Sequence, residues 1–501
     1  MGCKEASVEE EAETMSLSTE NPNHPCPSPL KKNKPPPNWS DLWLKNTKSL
    51  NHVFFTMQLP PLTSSPKDPN HKTFISNFSK IDRTLLLSDE ILLRILSKLP
   101  ESQQRNHNSL VCKRWLSLQG RLVRSLKVLD WGFLQSGRLI SRFPNLNRVD
   151  LLSGSLISDR KSSILLSQRQ FSVHTSSRFS PNRKVFQADL LPVEVVDRGL
   201  KVLAGGCPNL RKLVVIGASE WGLMDIAEEC PTLLDLELHK CNDNVLRGIA
   251  ACENLQVLKL VGNVDGLYNS LVSDIGLTIL AQGCKRLVKL ELRGCEGSFD
   301  GMKAVGQCCQ MLEELTLCDQ RMESGWLAAL SYCENLKTLR FQSCKKIDAS
   351  PGPDEYLGSC PALERLHLQK CQLRDKKSAR ALFMICGEVK EIVFQDCWGL
   401  ENDIFSLASI CRKVKSLSLE GCSLLTTECL ESVILSLKEL QSLKVESCKN
   451  IKDKDISPAL STLFSVLIEL KWRPDNKSHL PQSAMGTSMG KKGGRFFKRS
   501  I

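Results

Sequence analysis

The chain has 501 residues, 41% apolar and 24% charged, which is long enough to bury a large core and too apolar for wholesale disorder. Lys and Arg exceed Asp and Glu by 12, a weak pointer to nucleic acid, and no zinc-finger spacing, RNA-binding sheet motif or Arg-rich recognition helix accompanies that excess. No apolar run reaches 18 residues and no basic stretch leads into an apolar one at the N-terminus, so neither a membrane-spanning helix nor a secretory signal is legible, and the chain is expected in the nucleus, the cytoplasm or both.

Residues 1–83 are rich in Pro, Asn, Lys and Ser and read as a mostly unfolded arm. A stretch near 39–57, with Trp39, Trp43, Phe54 and Phe55, is too apolar for a free linker and is expected to dock on the folded body. From Leu85 the character changes. Ser88 suits a helix cap, Asp89 and Glu90 suit the positive end of the helix dipole, and Pro100 stops continuation after Leu99. Leu92, Ile95 and Leu99 are read as one apolar face, and a second apolar set follows in Leu110, Val111, Cys112 and Trp115.

Further on, the pattern Leu-x-x-Leu-x-Leu recurs from Leu210-Leu213-Val215 through Leu336-Leu339-Phe341 and Leu363-Leu366-Leu368 to Leu467-Leu470-Trp472. Its period of 22 to 27 residues is broken by one step of 32, which marks an insertion near 263–274. Leu146-Val149-Leu151 reads as an earlier, degenerate strand, and a Ser- and Arg-rich insertion over 152–190 separates it from the regular series. Helical spacing appears between the strands, as in Leu200, Leu203, Ala204 and Cys207. Each unit is therefore a strand, a turn and a helix that cannot bury its apolar side alone, and neighbours are expected to stack.

Sixteen of the 22 cysteines fall at two positions of this period, three residues before the first Leu or eight after it. No Cys-x-x-Cys occurs, so core packing is preferred over zinc, redox or thioester chemistry, with no metal and no cofactor expected. The array resembles the cysteine-containing class of leucine-rich repeats.

Val111-Cys112-Lys113-Arg114-Trp115, with the preceding Leu87 to Pro100, resembles an F-box over about residues 84–128. Ser88 stands where the family has Pro, and Glu101 to Asn108 carries no apolar residue. Over roughly 84–473 the chain resembles plant F-box and leucine-rich repeat proteins. That resemblance implies an α/β fold, with a small helical F-box (84–128) leading into a curved solenoid (129–473) of parallel strands inside and helices outside; beyond it, Lys491, Lys492, Arg495, Lys498 and Arg499 make 474–501 read as a basic disordered tail. It also implies a non-catalytic substrate receptor of an SCF-type ubiquitin ligase, with Leu87, Leu92, Ile95, Leu99, Pro100, Val111, Cys112 and Trp115 at a Skp-type adaptor that links to a cullin. Two other readings share the architecture: a small-molecule hormone co-receptor and a ligase-independent binding scaffold.

Residues flanking the second and third apolar positions of each strand are expected on the concave face, because side chains alternate with period two. Most of that face is mixed in charge. Arg340 and His367 fall at the same register on neighbouring strands with Arg365 beside them and Gln342 and Gln369 adjacent, which makes this a candidate dock for an acidic or phosphorylated protein segment unless Glu364, Glu391 or solvent neutralises it. No nucleic acid or membrane partner is expected.

Overall fold

The structure is a computed structural model, and it describes residues 83–99, 107–155, 165–166, 190–264, 268–269, 272–323, 325–348, 350–352 and 357–475. The arm with its apolar stretch near 39–57, Pro100, most of the 152–190 insertion and the tail beyond 475 lie outside them.

A helical pair comes first: α1 (Asp89–Ser97) and α2 (Lys113–Leu122), preceded by a 3-10 turn at Arg83–Leu86. The sheet that follows begins within the stretch assigned to this module, at β1 (Ser125–Lys127), and continues with β2 (Arg148–Asp150). Part of the insertion, β3 (Leu165–Leu166), pairs antiparallel with β1 at the sheet's end.

The regular strands are β4 (Lys212–Ile216), β5 (Asp235–His239) and β6 (Val257–Val261), then β9 (Lys289–Arg293), β11 (Glu314–Cys318), β13 (Thr338–Gln342), β14 (Arg365–Gln369), β15 (Glu391–Gln395), β16 (Ser416–Glu420), β17 (Ser442–Glu446) and β18 (Glu469–Arg473). With β1 to β3 they form one 14-stranded sheet in which each repeat's strand lies parallel to the next. Short pieces β7 (Asn263–Val264) and β8 (Tyr268–Asn269) form a hairpin in the 263–274 insertion, and β10 (Glu296–Gly297) pairs with β12 (Arg321–Met322). This is a leucine-rich repeat solenoid.

The outer layer comprises α3 (Trp131–Gln135), α4 (Arg138–Arg142), α5 (Val193–Gly206), α6 (Glu220–Glu229), α7 (Asp243–Ala250), α8 (Asp274–Gly283), α9 (Phe299–Cys308), α10 (Lys376–Ile385), α11 (Asn402–Phe405), α12 (Thr427–Ser436) and α13 (Pro458–Val466). Two repeats replace or extend the expected helix with 3-10 turns, at Trp326–Tyr332 and Ser406–Ile410. One continuous core runs between the layers, built from the repeated Leu positions, the helix faces and the in-register cysteines.

The thiols do more than fill space. Five Sγ atoms of the first series, those of Cys230, Cys284, Cys309, Cys360 and Cys411, reach back to a carbonyl of the preceding repeat, as Cys230 does to Cys207 (3.3 Å), Cys284 to Ile249 (3.4 Å) and Cys411 to Phe383 (3.5 Å). The second series repeats this with Cys344 donating to Leu317 (3.4 Å) and Cys397 to Leu368 (3.2 Å). A thiol is small enough for the tight interior and still offers a weak donor to a carbonyl that the helix or strand leaves free.

A second ladder joins the helix starts. Ser298 caps α9 by accepting from the Asp300 amide, while its own amide and hydroxyl donate to Asp274, the first residue of α8, at 2.7 and 2.5 Å. Ser273 does the same with Asp243 at the start of α7. Glycine is required three residues after each cap, because a Cβ on Gly276 or Gly301 would lie 2.2 or 2.3 Å from the carboxylate of the preceding helix.

Candidate functional site

Two surfaces stand out, one on the helical pair and one on the solenoid. In the pair, Leu92 and Leu96 of α1 close with Leu118 of α2 into a small core, which Leu87, Leu93, Leu99, Trp115 and Leu122 flank half-buried. Arg114 locks the assembly, donating to Asp89 (2.8 Å) and to the carbonyls of Thr84 (3.0 Å) and Leu87 (2.6 Å). Cys112 is the N-cap of α2, its sulfur accepting from the Trp115 amide at 3.4 Å.

That inward row leaves an outward one. Ile91 and Ile95, one turn apart on α1, are about half exposed; Val111 is 58% exposed, and Leu110 and Leu86 also face solvent. The single face expected from Leu92, Ile95 and Leu99 is thus divided: Leu92 lies inside, Leu99 is half-buried, and Ile95 points out. Leu110, of the second apolar set, is exposed too, as are Leu86 and Ile91, which the sequence reading does not single out although the spacing of Ile91 and Ile95 by four residues carries the signal.

On the solenoid, the strand registers put Thr338 beside Arg365, Arg340 beside His367 and Gln342 beside Gln369. Concave positions alternate outward with buried Leu and Phe throughout β14 to β17. The alternation fails in β4 to β6, where the outward Val214, Ile216, Glu237, His239 and Val261 are buried. There Glu237 contacts His239 (2.8 Å) and Lys259 (3.6 Å). Burial works to raise its carboxyl, but the bond from His239 and the charges of His239, Lys259 and Lys212 outweigh it and hold the group below the ordinary range.

Charge pairing separates one stretch of the concave face from the rest. Lys212 pairs with Asp235 (2.7 Å), Lys259 with Glu291 (3.1 Å), Lys289 with Glu314 (2.8 Å), Arg293 with Asp319 (3.2 Å) and Lys444 with Glu446 (2.8 Å). Between them sit Arg340 and Arg365, both exposed and, among the described residues, without a side-chain partner. Glu364 pairs instead with Lys390 (2.7 Å), and Glu391 lies beside Arg365 in register without a salt bridge to it. His367 Nε2 and Thr338 Oγ1 are buried with no hydrogen-bond partner among the described residues. Burial, and then the charge of Arg340, push the His367 imidazole below its usual value. Gln369 donates to Gln395 (3.1 Å), which donates on to Glu420 (3.4 Å), so the glutamine row is anchored at its far end.

Among the described residues no group of three His, Cys, Asp or Glu is placed to hold a metal, and no helix is long and apolar enough to cross a membrane.

No family model matches the chain. It is similar to F-box protein MAX2 homolog A of Petunia hybrida, 22% identical over 441 residues that cover 77% of this chain. The matched region covers 61% of that relative's length. Among solved structures it is similar to an internalin of Listeria monocytogenes (TM-score 0.36, 14% identity, 77% of this chain and 94% of that one) and to TLR13 in its complex with ssRNA13 (TM-score 0.40, 18% identity, 72% and 48%).

Proposed function

We propose that this chain is a substrate receptor of an SCF-type ubiquitin ligase, with the helical pair acting as an F-box for a Skp-type adaptor and cullin and the solenoid holding the target protein. The observation that carries this reading is that Leu86, Ile91, Ile95, Leu110 and Val111 are all exposed on one small module whose inward row is already closed. So many large apolar side chains left in solvent on a module this small point to a protein interface. Similarity to a relative named as an F-box protein supports the same assignment.

The role is proximity rather than chemistry. Tethering raises the effective concentration of a target's lysines at the ubiquitin-charged partner, and the receptor need only bind at two places. The target surface of this reading is the unpaired stretch at Arg340, Arg365 and His367, with Gln342 and Gln369 as further polar contacts, and its ligand is an acidic or phosphorylated segment. Nuclear or cytoplasmic residence belongs to the same proposal.

Ile95→Asp combined with Val111→Asp tests the adaptor surface. Both side chains are at least half exposed, so the fold should survive, while an unpaired carboxylate buried at an interface costs several kcal/mol. The expected result is loss of Skp-type adaptor and cullin from the purified protein with an unchanged circular dichroism spectrum. Full retention of both partners in that double variant would overturn the assignment.

A further inference from the structure

Directly beyond the arginine pair, at the C-terminal rim of β13 and β14, the surface opens into a cavity of about 360 Å³. Lys345 and Lys346 line it from the turn after β13, Arg374 from the turn after β14, and Ser378 from α10. Three cations therefore surround one hollow.

The two carboxylates of the hollow are already engaged elsewhere. Asp348 accepts from the amides of Gly325 (2.9 Å), Leu327 (3.1 Å) and Ser350 (3.1 Å). Asp375 caps α10, accepting from the amides of Lys377 (3.2 Å) and Ser378 (3.1 Å) and from the Ser378 hydroxyl. Among the described residues neither forms an ion pair with Lys345, Lys346 or Arg374, and all three cations are exposed. Arg374 is also held in place. Its stem crosses Gly399, which has φ +71° and where a Cβ would lie 2.6 Å from Arg374 Cγ, so that crossing needs glycine.

Arg340 and Arg365 belong to the same two repeats. From Arg340 the strand runs two residues to Gln342, turns through Ser343 at φ +56°, and reaches Lys345. At about 3.3 Å per strand residue the five-residue path from Arg340 to Lys345 has an upper limit of roughly 16 Å, and the turn at Ser343 keeps the two backbone positions within that span. An extended peptide covers that span in four to five residues at ~3.3–3.6 Å each.

We propose that the rim cavity is a second anion subsite for the segment that docks at Arg340 and Arg365, so that the solenoid reads a peptide bearing two phosphoryl groups no more than about five residues apart. This rests on the reading of the solenoid as a target-binding surface. A phosphoryl group brings close to two negative charges and three acceptor oxygens, which suits three converging cations better than one carboxylate does. Elsewhere along the regular strands from β4 to β17 each concave cation is held in a salt bridge, whereas among the described residues Arg340 and Arg365 form none, even with Glu391 beside Arg365 in register.

Fluorescence anisotropy of the full chain with labelled 14-residue Gly/Ser peptides carrying two phosphoserines, their separation varied from one to eight residues, tests this. The expected profile peaks at a separation of five or fewer and falls off beyond it, its maximum at least tenfold tighter than the singly phosphorylated peptide. Lys345→Ala with Lys346→Ala should reduce the doubly phosphorylated peptide toward the singly phosphorylated level, and Arg340→Ala with Arg365→Ala should weaken both. An affinity independent of separation, no binding of any peptide, or a Lys345/Lys346 variant that keeps the full gain would each overturn the proposal. Adaptor and cullin co-purification, followed in the same preparations, separates the two readings: its loss with an intact spacing profile removes the ligase assignment alone, and a flat profile with the partners retained removes the second subsite alone.

Discussion

Arg340 and Arg365 are set apart by what their neighbours do. Glu364 is turned to Lys390, and Glu391 makes no bond to Arg365 although it adjoins it in register, so the positive charge is left to solvent or to a partner. Arg340→Glu with Arg365→Glu should therefore abolish capture of the target while leaving adaptor association intact, as read by paired pull-downs. His367 adds a pH signature. Its folded value is lowered by burial and by Arg340, so between that value and about 6.5 the unfolded chain holds more protons than the folded one. Stability then rises with pH across that window and falls as acid is added through it. His367→Gln should flatten the dependence of Tm on pH there, and an unaltered slope would show that the imidazole does not contribute. An anion docked beside it would lift its value, so binding should take up a proton and tighten on mild acidification in the wild type but not in His367→Gln.

Elements in this chain are positioned by caps that serve two helices at once. Ser298 satisfies the first turn of α9 and grips Asp274 of α8, so Ser298→Ala removes a cap and takes the hydroxyl donor from a carboxylate that keeps the residue-298 amide; a loss of about 1–2 kcal/mol in urea unfolding is expected. Gly301→Ala forces a methyl against that same carboxylate and should cost about 1–3 kcal/mol. Neither motif was legible in advance. The period of Leu and Cys showed where strands and helices fall, because burial imposes it on every repeat alike. Ser-x-x-Gly becomes meaningful only when the stacked helix supplies its Asp. The helical pair shows the same limit on a smaller scale: periodicity identified α1 as amphipathic, but its apolar residues occupy two rows, and only packing against Leu118 shows that Leu92 and Leu96 turn in while Ile91 and Ile95 turn out. The rim cavity escaped sequence reasoning for a related reason, since Lys345, Lys346 and Arg374 lie in turns of different repeats with no periodic relation.

At the scale of the whole solenoid, one core runs from Leu126 to Trp472, and the thiols line it from end to end. Burial pushes Cys230 up to about 11 and Cys360 and Cys411 up to about 12, so at neutral pH these groups are both covered and protonated. Thiolates are the reactive form. Mass-shift labelling of the native protein should consequently modify the half-buried Cys112, Cys308 and Cys429 first among the described cysteines and leave Cys230, Cys360 and Cys411 untouched until the fold opens. Rapid native modification of the last three would contradict the packing account. The regular course of the sheet was legible because each repeat restates the same constraint. The burial of Glu237 and His239 was not, since β5 carries the same alternating pattern as the strands further along, whereas Val214, Ile216 and Val261 are apolar at outward positions and showed the departure in advance.

The backward reach of thiols such as Cys230, Cys284 and Cys411 to a carbonyl of the repeat before gives the array a built-in gauge. A buried sulfur becomes available to a disulfide reagent only when its own unit parts from the preceding one, so its exchange rate reports the free energy of that local opening. In a stacked array, where each unit leans mainly on its neighbours, such openings differ from place to place. The cysteines spaced along this chain thus form a natural series of probes from which a profile of fraying, repeat by repeat, could be measured without introducing a single label site.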